Sequence, residues 1–217
     1  MRNYERLDQY LDLLKRDVYP EAETSSHDEI TQKVFDLFIV PHGQIIQSAL
    51  DVGCGQGVAL KRFSSLGIDA VGITLSREDH DFCLNRGFRV ALMDQSFLEH
   101  PGRSFDLVYA RHVLEHSPFP VLTLFEFNRV LKPYGFLYVE VPQAESIHCA
   151  NPNHYSMLGK RSLTQLFKRA RFAYVKDLKI NFALPDGTPD EYWGWWLRKE
   201  EDLAPASENP DRMKASV

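Results

Sequence analysis

The chain has 217 residues, of which 44% are hydrophobic and 25% are charged, the composition of an ordinary globular protein with one sizeable core. Its formal net charge is -5, and no run of Lys or Arg is long enough to hold a phosphate backbone, so we expect no nucleic-acid partner. The first twenty residues are charged throughout and lack a continuous apolar segment, so we expect neither a signal peptide nor a membrane span.

The three cysteines, Cys54, Cys83 and Cys149, lie at wide spacings. This odd number fits neither a secreted disulfide framework nor a CxxC metal pattern. A reducing compartment is therefore expected, and we predict a cytoplasmic protein.

Two amphipathic helices are predicted before the first strand. Apolar residues recur at spacings of three and four from Tyr4 to Val18, and Pro20 ends this pattern. The second helix is predicted over about 28–38, with Ser26 or Asp28 as its cap. We treat residues 1–44 as an amino-terminal helical cap.

From Ser48 onward, short apolar runs alternate with helical patterns. The runs cover 49–52, 70–73, 90–93, 105–110 and 136–141, and helices are predicted near 57–65, 78–86, 120–131 and 160–169. This alternation is typical of an α/β domain, here 45–199, with a parallel sheet and helices on both faces.

The end of the chain has a different texture. An alternating segment after Phe172, a turn signal at 185–187 and an aromatic run at 192–197 predict a hairpin-like pair at the sheet edge. Its aromatic residues would pack the edge strand against helices, or else form a substrate wall or partner surface. Residues 200–217 hold almost no apolar side chains and are predicted to be a disordered tail.

The segment LDVGCGQG at 50–57 follows a predicted strand and opens a predicted helix, as a nucleotide-binding glycine loop does. Glycines allow positive φ and a close approach of backbone to ligand, and the helix amino terminus points its free N–H groups at the site. A dinucleotide fingerprint would need glycine at 58, where Val58 stands, so we expect no NAD or FAD. There is no GK[ST] phosphate loop either.

With its downstream motifs, the sequence resembles the class I S-adenosylmethionine-dependent methyltransferases. The motifs are LDVGCGQG, Met93-Asp94, FDLVYARHVLEH at 105–116 and RVLKPYGFLYVEVP at 129–142, within a likeness that spans about 48–197. The resemblance implies a Rossmann-like, mostly parallel seven-stranded sheet with an antiparallel last strand. It also implies S-adenosylmethionine as cofactor, with S-adenosylhomocysteine as product.

The resemblance also implies where the cofactor is held. The methionyl part would lie over the glycine loop, and Asp94 would accept from the adenine amino group. Thr74 stands where the family usually carries an acidic residue for the ribose, with Ser76 or Asp79 able to supply further contacts. Asp51 could instead only shape a turn, and Asp94 could only cap a helix. The predicted cofactor contacts are Asp51, Gly53, Cys54, Gly55, Gly57, Thr74, Leu75, Asp94, Gln95 and Arg111.

The string HVLEH also matches the HxxEH pattern of inverted zinc peptidases. A zinc site on a helix needs a long helix and a further ligand, and Ser117-Pro118 breaks the helix almost at once. Methyltransferases of ubiquinone biosynthesis, which this chain resembles, use acidic residues and a His here to hold a divalent ion. Glu115 and His116 match them, but His112 replaces their first acidic residue, so we predict no metal.

Methyl transfer to a hydroxyl needs a base, and topology puts His112 and His154 near the ligand-binding edge of the sheet. Either could be the base, or an ordinary loop histidine, and a histidine base would make the rate rise through a group near its unperturbed pKa of about 6.5. The NxPP motif of nucleic-acid amino methyltransferases is absent, so O-methylation of a small molecule is the first hypothesis. The alternatives are N- or C-methylation, a non-catalytic cofactor-binding partner domain, and a metal-dependent enzyme using His112, Glu115 and His116.

Overall fold

The computed structural model describes residues 4–20, 24–183, 187–200 and 202. Its α-helices are α1 (Tyr4–Leu14), α2 (Ser25–Val34), α3 (Val58–Ser65), α4 (Arg77–Asn85), α5 (Pro120–Val130) and α6 (Lys160–Arg169). Its strands are β1 (Ser48–Val52), β2 (Asp69–Thr74), β3 (Val90–Leu92), β4 (Phe105–Arg111), β5 (Leu131–Pro142), β6 (Phe172–Ala183) and β7 (Pro189–Lys199). No described helix is both long and apolar enough to cross a bilayer.

The strands form one seven-stranded sheet in the order β3-β2-β1-β4-β5-β7-β6. The first five strands pair in parallel, and β7 is antiparallel to both of its neighbours. The predicted Rossmann-like, mostly parallel sheet with an antiparallel last strand is confirmed. Because the chain reverses strand order at β1 and β4, the crevice at their carboxyl ends is where such a sheet binds ligands.

Two apolar clusters cover the two faces of the sheet. One contains Leu124 and Phe127 of α5 and Phe167 of α6, and the other contains Val34 of α2 and Phe63 of α3. Burial on both faces explains why β1, β4 and β5 read as continuous apolar runs in the sequence. Since α2 shares its cluster with the sheet, it is part of the core.

The aromatic strand β7 lies inside the sheet, between β5 and β6, and β6 forms the edge. Trp196 is 1% exposed and stacks on Phe136 and Phe38, with ring centroids 4.8 and 5.5 Å away. Trp195 packs edge-on against Phe167 of α6. These tryptophans therefore pack the sheet against helices.

The amino-terminal segment differs from its prediction in detail. The first helix ends at Leu14 and continues as a 3-10 turn over Lys15–Asp17. Thr24 caps α2 by accepting from the His27 N–H, so the predicted caps at Ser26 and Asp28 were wrong. Of the predicted turn at 185–187 only Gly187 is described, and of the predicted tail only Glu200 and Asp202, so these predictions lie largely outside the described residues.

Candidate functional site

A solvent-open cleft with a cavity volume of about 150 Å³ lies at the carboxyl ends of β1, β2 and β4. The predicted site residues that line it are Gly53, Gly55, Thr74, Leu75, Asp94, Gln95 and His112. Sequence reasoning thus brought together seven positions from four separate segments.

The glycine loop has the backbone that its sequence predicts. Gly53 and Gly55 have φ of +65° and +48°, in the left-handed region. A Cβ on Gly53 would lie 2.0 Å from Cγ1 of Val113, so this position also needs the missing side chain. Gly57 lines neither pocket and instead caps the amino terminus of α3 in the left-handed conformation.

A smaller pocket with a cavity volume of about 50 Å³ opens behind the glycine loop. Asp51, Cys54 and Arg111 line it. Asp51 lies on β1 and Arg111 on β4, and these two strands pair directly. Oδ2 of Asp51 and Nη2 of Arg111 are buried, and no described residue hydrogen-bonds to either atom. Burial also raises the pKa of Asp51. An unpaired acceptor and an unpaired donor of opposite charge in one pocket fit the amino-acid end of S-adenosylmethionine, a zwitterion.

The end of β2 carries a polar turn. Thr74 accepts from the Ser76 N–H at 3.0 Å, and Ser76 in turn caps α4 by accepting from the Asp79 N–H at 3.2 Å. Asp79 is 2% exposed and lines the cleft. A buried carboxylate thus lies five positions beyond the place where the family usually carries its acidic residue.

Asp94 and Gln95 follow β3 at the same edge of the sheet. Oδ1 of Asp94 accepts from the Ser96 N–H at 2.7 Å within a turn, whereas the alternative weighed against cofactor contact was a helix cap. The Gln95 amide donates to the Val113 carbonyl at 2.6 Å, while its Oε1 is buried and accepts from no described residue. Gln95 therefore offers a free acceptor to the cleft.

His112 lies in a buried network of charges. Glu140 is the register partner of Arg111 on β5, so the two side chains share one face of the sheet. Oε1 of Glu140 accepts from Nε of Arg111 at 2.7 Å and lies 3.0 Å from Nε2 of His112, and Tyr138 donates to Oε2 at 2.5 Å. Glu140 was not among the predicted site residues, although a single carboxylate in the apolar run FLYVEV could have indicated it.

The carboxylates around His112 hold it as a cation. Its Nδ1 lies 3.4 Å from Oε1 of Glu115, a charge contact without hydrogen-bonding geometry, and its Nε2 contacts Glu140. Burial lowers the pKa of His112, but the two carboxylates outweigh burial and raise it to about 9. Burial likewise opposes ionisation of Glu140, yet Arg111 and His112 lower its pKa to about 2.

A second histidine cluster lies beside the cleft. Glu115, His116 and His154 each offer one ligand atom, and these atoms lie within 4.8 Å of one another. The His116 Nδ1–H donates to the Asn153 carbonyl at 3.0 Å, which leaves its Nε2 lone pair available. Neither carboxylate oxygen of Glu115 has a hydrogen-bond donor among the described residues. Nδ1 of His154 has no partner there, and its Nε2 accepts from the Asn151 side-chain amide at 3.4 Å.

The three residues of the HxxEH pattern, His112, Glu115 and His116, do not share a helical face. His112 has φ of +52° and lies outside the short 3-10 helix Leu114–His116. His154 comes instead from the loop after β5, and its ring lies 4.6 Å from the His116 ring between centroids. Among the described residues, the cluster that could hold a metal ion is therefore Glu115, His116 and His154.

The amino-terminal segment covers the cleft. Leu11, Leu14 and Val18 line it from one side. The 3-10 turn is tied to the loop after β5, because the Asp17 carbonyl accepts from Asn153 at 3.1 Å. The first helix predicted from the sequence borders this cleft through Leu11 and Leu14.

Known proteins share this architecture. Residues 5–177 match the protein family described as a methyltransferase domain. The chain is 30% identical over 109 residues to a ubiquinone biosynthesis O-methyltransferase of Methylococcus capsulatus, covering 46% of each chain. It spans about half the length of the first such curated relatives.

Solved structures agree on the fold. A S-adenosylmethionine-dependent methyltransferase from Archaeoglobus fulgidus superposes with a TM-score of 0.67 at 17% identity, over 79% of this chain and 94% of that chain. The [4+2]-cyclase SpnF superposes with a TM-score of 0.66 at 19% identity, over 84% and 86%. At these identities the likeness concerns the fold alone. With the family match over most of its length, the chain belongs to the class I S-adenosylmethionine-dependent methyltransferases, with S-adenosylmethionine as its cofactor.

Proposed function

We propose that this protein transfers the methyl group of S-adenosylmethionine to a hydroxyl oxygen of a small molecule. One observation carries the proposal: His116, which lines the cleft, and His154 beside it lie next to the buried carboxylate of Glu115. Such groups can hold a hydroxyl and take its proton, which an oxygen nucleophile requires and many other acceptors do not. The ubiquinone biosynthesis O-methyltransferases among the relatives support an oxygen acceptor.

In this proposal the cofactor lies across both pockets. Its methionyl group passes over Gly53 and Gly55, and its amino and carboxylate groups meet Asp51 and Arg111 in the smaller pocket. When bound, the cofactor supplies the electrophilic methyl group. The protein aligns the acceptor with that methyl group and excludes water.

The nucleoside end would be held by residues after β2 and β3. Asp79, buried on the cleft wall, is our candidate for the ribose hydroxyls, with Thr74 beside it. The free Oε1 of Gln95 and the carboxylate of Asp94 are candidates for the adenine amino group. Cys54 and Leu75 remain predicted contacts through their backbone or their methylene groups.

His154 is a better candidate for the base than His112. Both ring nitrogens of His112 face carboxylates, and a proton held with a pKa of about 9 leaves little free base at neutral pH. Burial lowers the pKa of His154, and the neighbouring His116 lowers it further, so the His154 ring is neutral and able to accept a proton. These different surroundings support His154 over His112 as the base.

Single alanine variants test the assignment. We expect His154→Ala to lower kcat by roughly two to four decades while leaving S-adenosylhomocysteine affinity unchanged. The wild-type rate should rise with pH through a group below pH 6.5, then stay level up to pH 8. A rate that instead rises through a group near pH 9, together with a fully active His154→Ala variant, would assign the proton to His112.

Methylation assisted by a divalent ion is a second candidate, and it rests on a different observation. Both oxygens of the 1%-exposed Glu115 carboxylate lack a described hydrogen-bond donor, and its charge contact with His112 is 3.4 Å long. An ion held by Glu115, His116 and His154 would give this buried carboxylate a direct ligand bond and could bind the acceptor oxygen. In that case His154 would be a ligand, and no longer a base.

Metal analysis separates the two candidates. The metal-assisted reaction predicts a stoichiometric ion, loss of activity with a chelator and recovery with Mg²⁺ or Zn²⁺. Full activity of the metal-stripped protein would exclude it. A protein that binds the cofactor but forms no S-adenosylhomocysteine with any hydroxyl acceptor would support a non-catalytic binding domain instead.

A further inference from the structure

Two buried cysteines lie at the glycine loop. Cys54 belongs to the loop itself, and Cys83 lies on α4, where it is fully buried. The two residues pack with Leu60 in one buried cluster. The Cys83 thiol also donates to the carbonyl of Gly55 at 3.2 Å, so α4 supports the loop through sulfur.

Neighbouring glycines leave room for both sulfur atoms. A Cβ on Gly72 would lie 2.8 Å from Sγ of Cys54, and a Cβ on Gly57 would lie 3.2 Å from Sγ of Cys83. Alanine at either position would crowd one thiol. The third cysteine, Cys149, is exposed and far along the chain, in the loop after β5.

We propose that Cys54 and Cys83 form a reversible disulfide under peroxide, and that this disulfide weakens cofactor binding. Hydrogen peroxide can enter through the smaller pocket, which Cys54 lines, and Cys83 packs behind Cys54 in the same buried cluster. The second part of the inference rests on the proposed placement of the methionyl group over the glycine loop.

The chemistry balances with peroxide as the only added reagent. The neighbouring Cys54 side chain lowers the pKa of Cys83, which favours the Cys83 thiolate as the nucleophile. The Cys83 thiolate attacks one peroxide oxygen, the O–O bond breaks, and the released hydroxide takes a proton to become water. The Cys54 sulfur then attacks the Cys83 sulfenic acid, the S–S bond forms, and a second water leaves with the Cys54 proton. Two thiols and one peroxide yield one disulfide and two waters.

The disulfide would act on the loop in two ways. The S–S bond of about 2.05 Å is shorter than any non-bonded contact between two sulfur atoms, so the disulfide draws Cys54 toward α4. Cys83 also loses the thiol proton that it donates to Gly55. Because Gly53 and Gly55 flank Cys54 with positive φ, this displacement changes the backbone that faces the methionyl group.

The experiment uses the full chain carrying Cys149→Ser, so that the exposed thiol cannot react. After treatment with one equivalent of hydrogen peroxide, we expect a mass loss of two hydrogens and a Cys54–Cys83 cross-linked peptide. Calorimetry should then show at least a tenfold weaker affinity for S-adenosylhomocysteine, restored by dithiothreitol. Restoration matters because Met93 also lines the cleft and its sulfoxide would not respond to dithiothreitol.

Two variants of Cys83 distinguish the disulfide from other effects of peroxide. The additional change Cys83→Ser keeps a donor for Gly55 and should keep its affinity after peroxide, with Cys83→Ala as a second variant. Saturating S-adenosylhomocysteine should slow the cross-link. Absence of the cross-link, or a cross-linked protein with unchanged affinity, would overturn the proposal. If the reduced protein binds no S-adenosylhomocysteine, the proposed cofactor placement fails, and the mass measurement still decides the disulfide.

Discussion

The charge on His112 has a consequence for stability that depends on pH. The pKa of His112 is raised to about 9 in the folded protein, against an unperturbed value of about 6.5 in the unfolded chain. A raised pKa stabilises the folded state below pH 6.5, and this contribution is lost as pH rises through 9. At about 1.4 kcal/mol per unit of pKa difference between the folded and unfolded states, the full contribution of His112 to stability is about 3 kcal/mol.

Urea unfolding at several pH values from 6 to 10 measures this contribution. Between pH 6.5 and 9, we expect the free energy of unfolding of the wild type to fall by about 3 kcal/mol more than that of His112→Asn. His154→Ala is the matched control and should keep the wild-type slope above pH 7, because the pKa of His154 is lowered. Parallel curves for wild type and His112→Asn would refute a cationic His112.

Further predictions concern the cofactor site. Gly55→Val should abolish the calorimetric signal with S-adenosylhomocysteine, since a β-branched residue is strained at a φ of +48°. Asp79→Asn should weaken S-adenosylhomocysteine by roughly tenfold, about 1.4 kcal/mol, while methionine competes equally with both proteins, because only the nucleoside end is affected. NAD should give no heat at millimolar concentration, since Val58 occupies the third position of the dinucleotide fingerprint.

The order and type of the elements were predictable because each carries its own local pattern. All five predicted parallel strands and the four helices among and after them are present, with bounds shifted by a few residues at most except at the start of β5. The glycine loop was predictable for the same reason, as a motif fixed by its backbone geometry. The Thr24 cap was missed because serine and aspartate further along also satisfy the capping preference.

The charge network and the histidine cluster depend on contacts between distant segments. Arg111 meets Glu140 only because β4 and β5 pair in one particular register. His154 meets His116 through the conformation of the loop after β5, which no local pattern specifies. The position of β7 inside the sheet is likewise a property of strand pairing, since a hairpin pattern leaves open which strand lies at the edge.

The atom that receives the methyl group can be identified by isotope transfer. The protein would be incubated with S-adenosylmethionine labelled with ¹³C in its methyl group and with a panel of small phenols, catechols, amines and carboxylic acids. We expect a labelled methoxy carbon on a hydroxyl acceptor, formed in step with S-adenosylhomocysteine and lost in His154→Ala. Label on nitrogen or carbon, with no methoxy product from any hydroxyl compound, would exclude O-methylation.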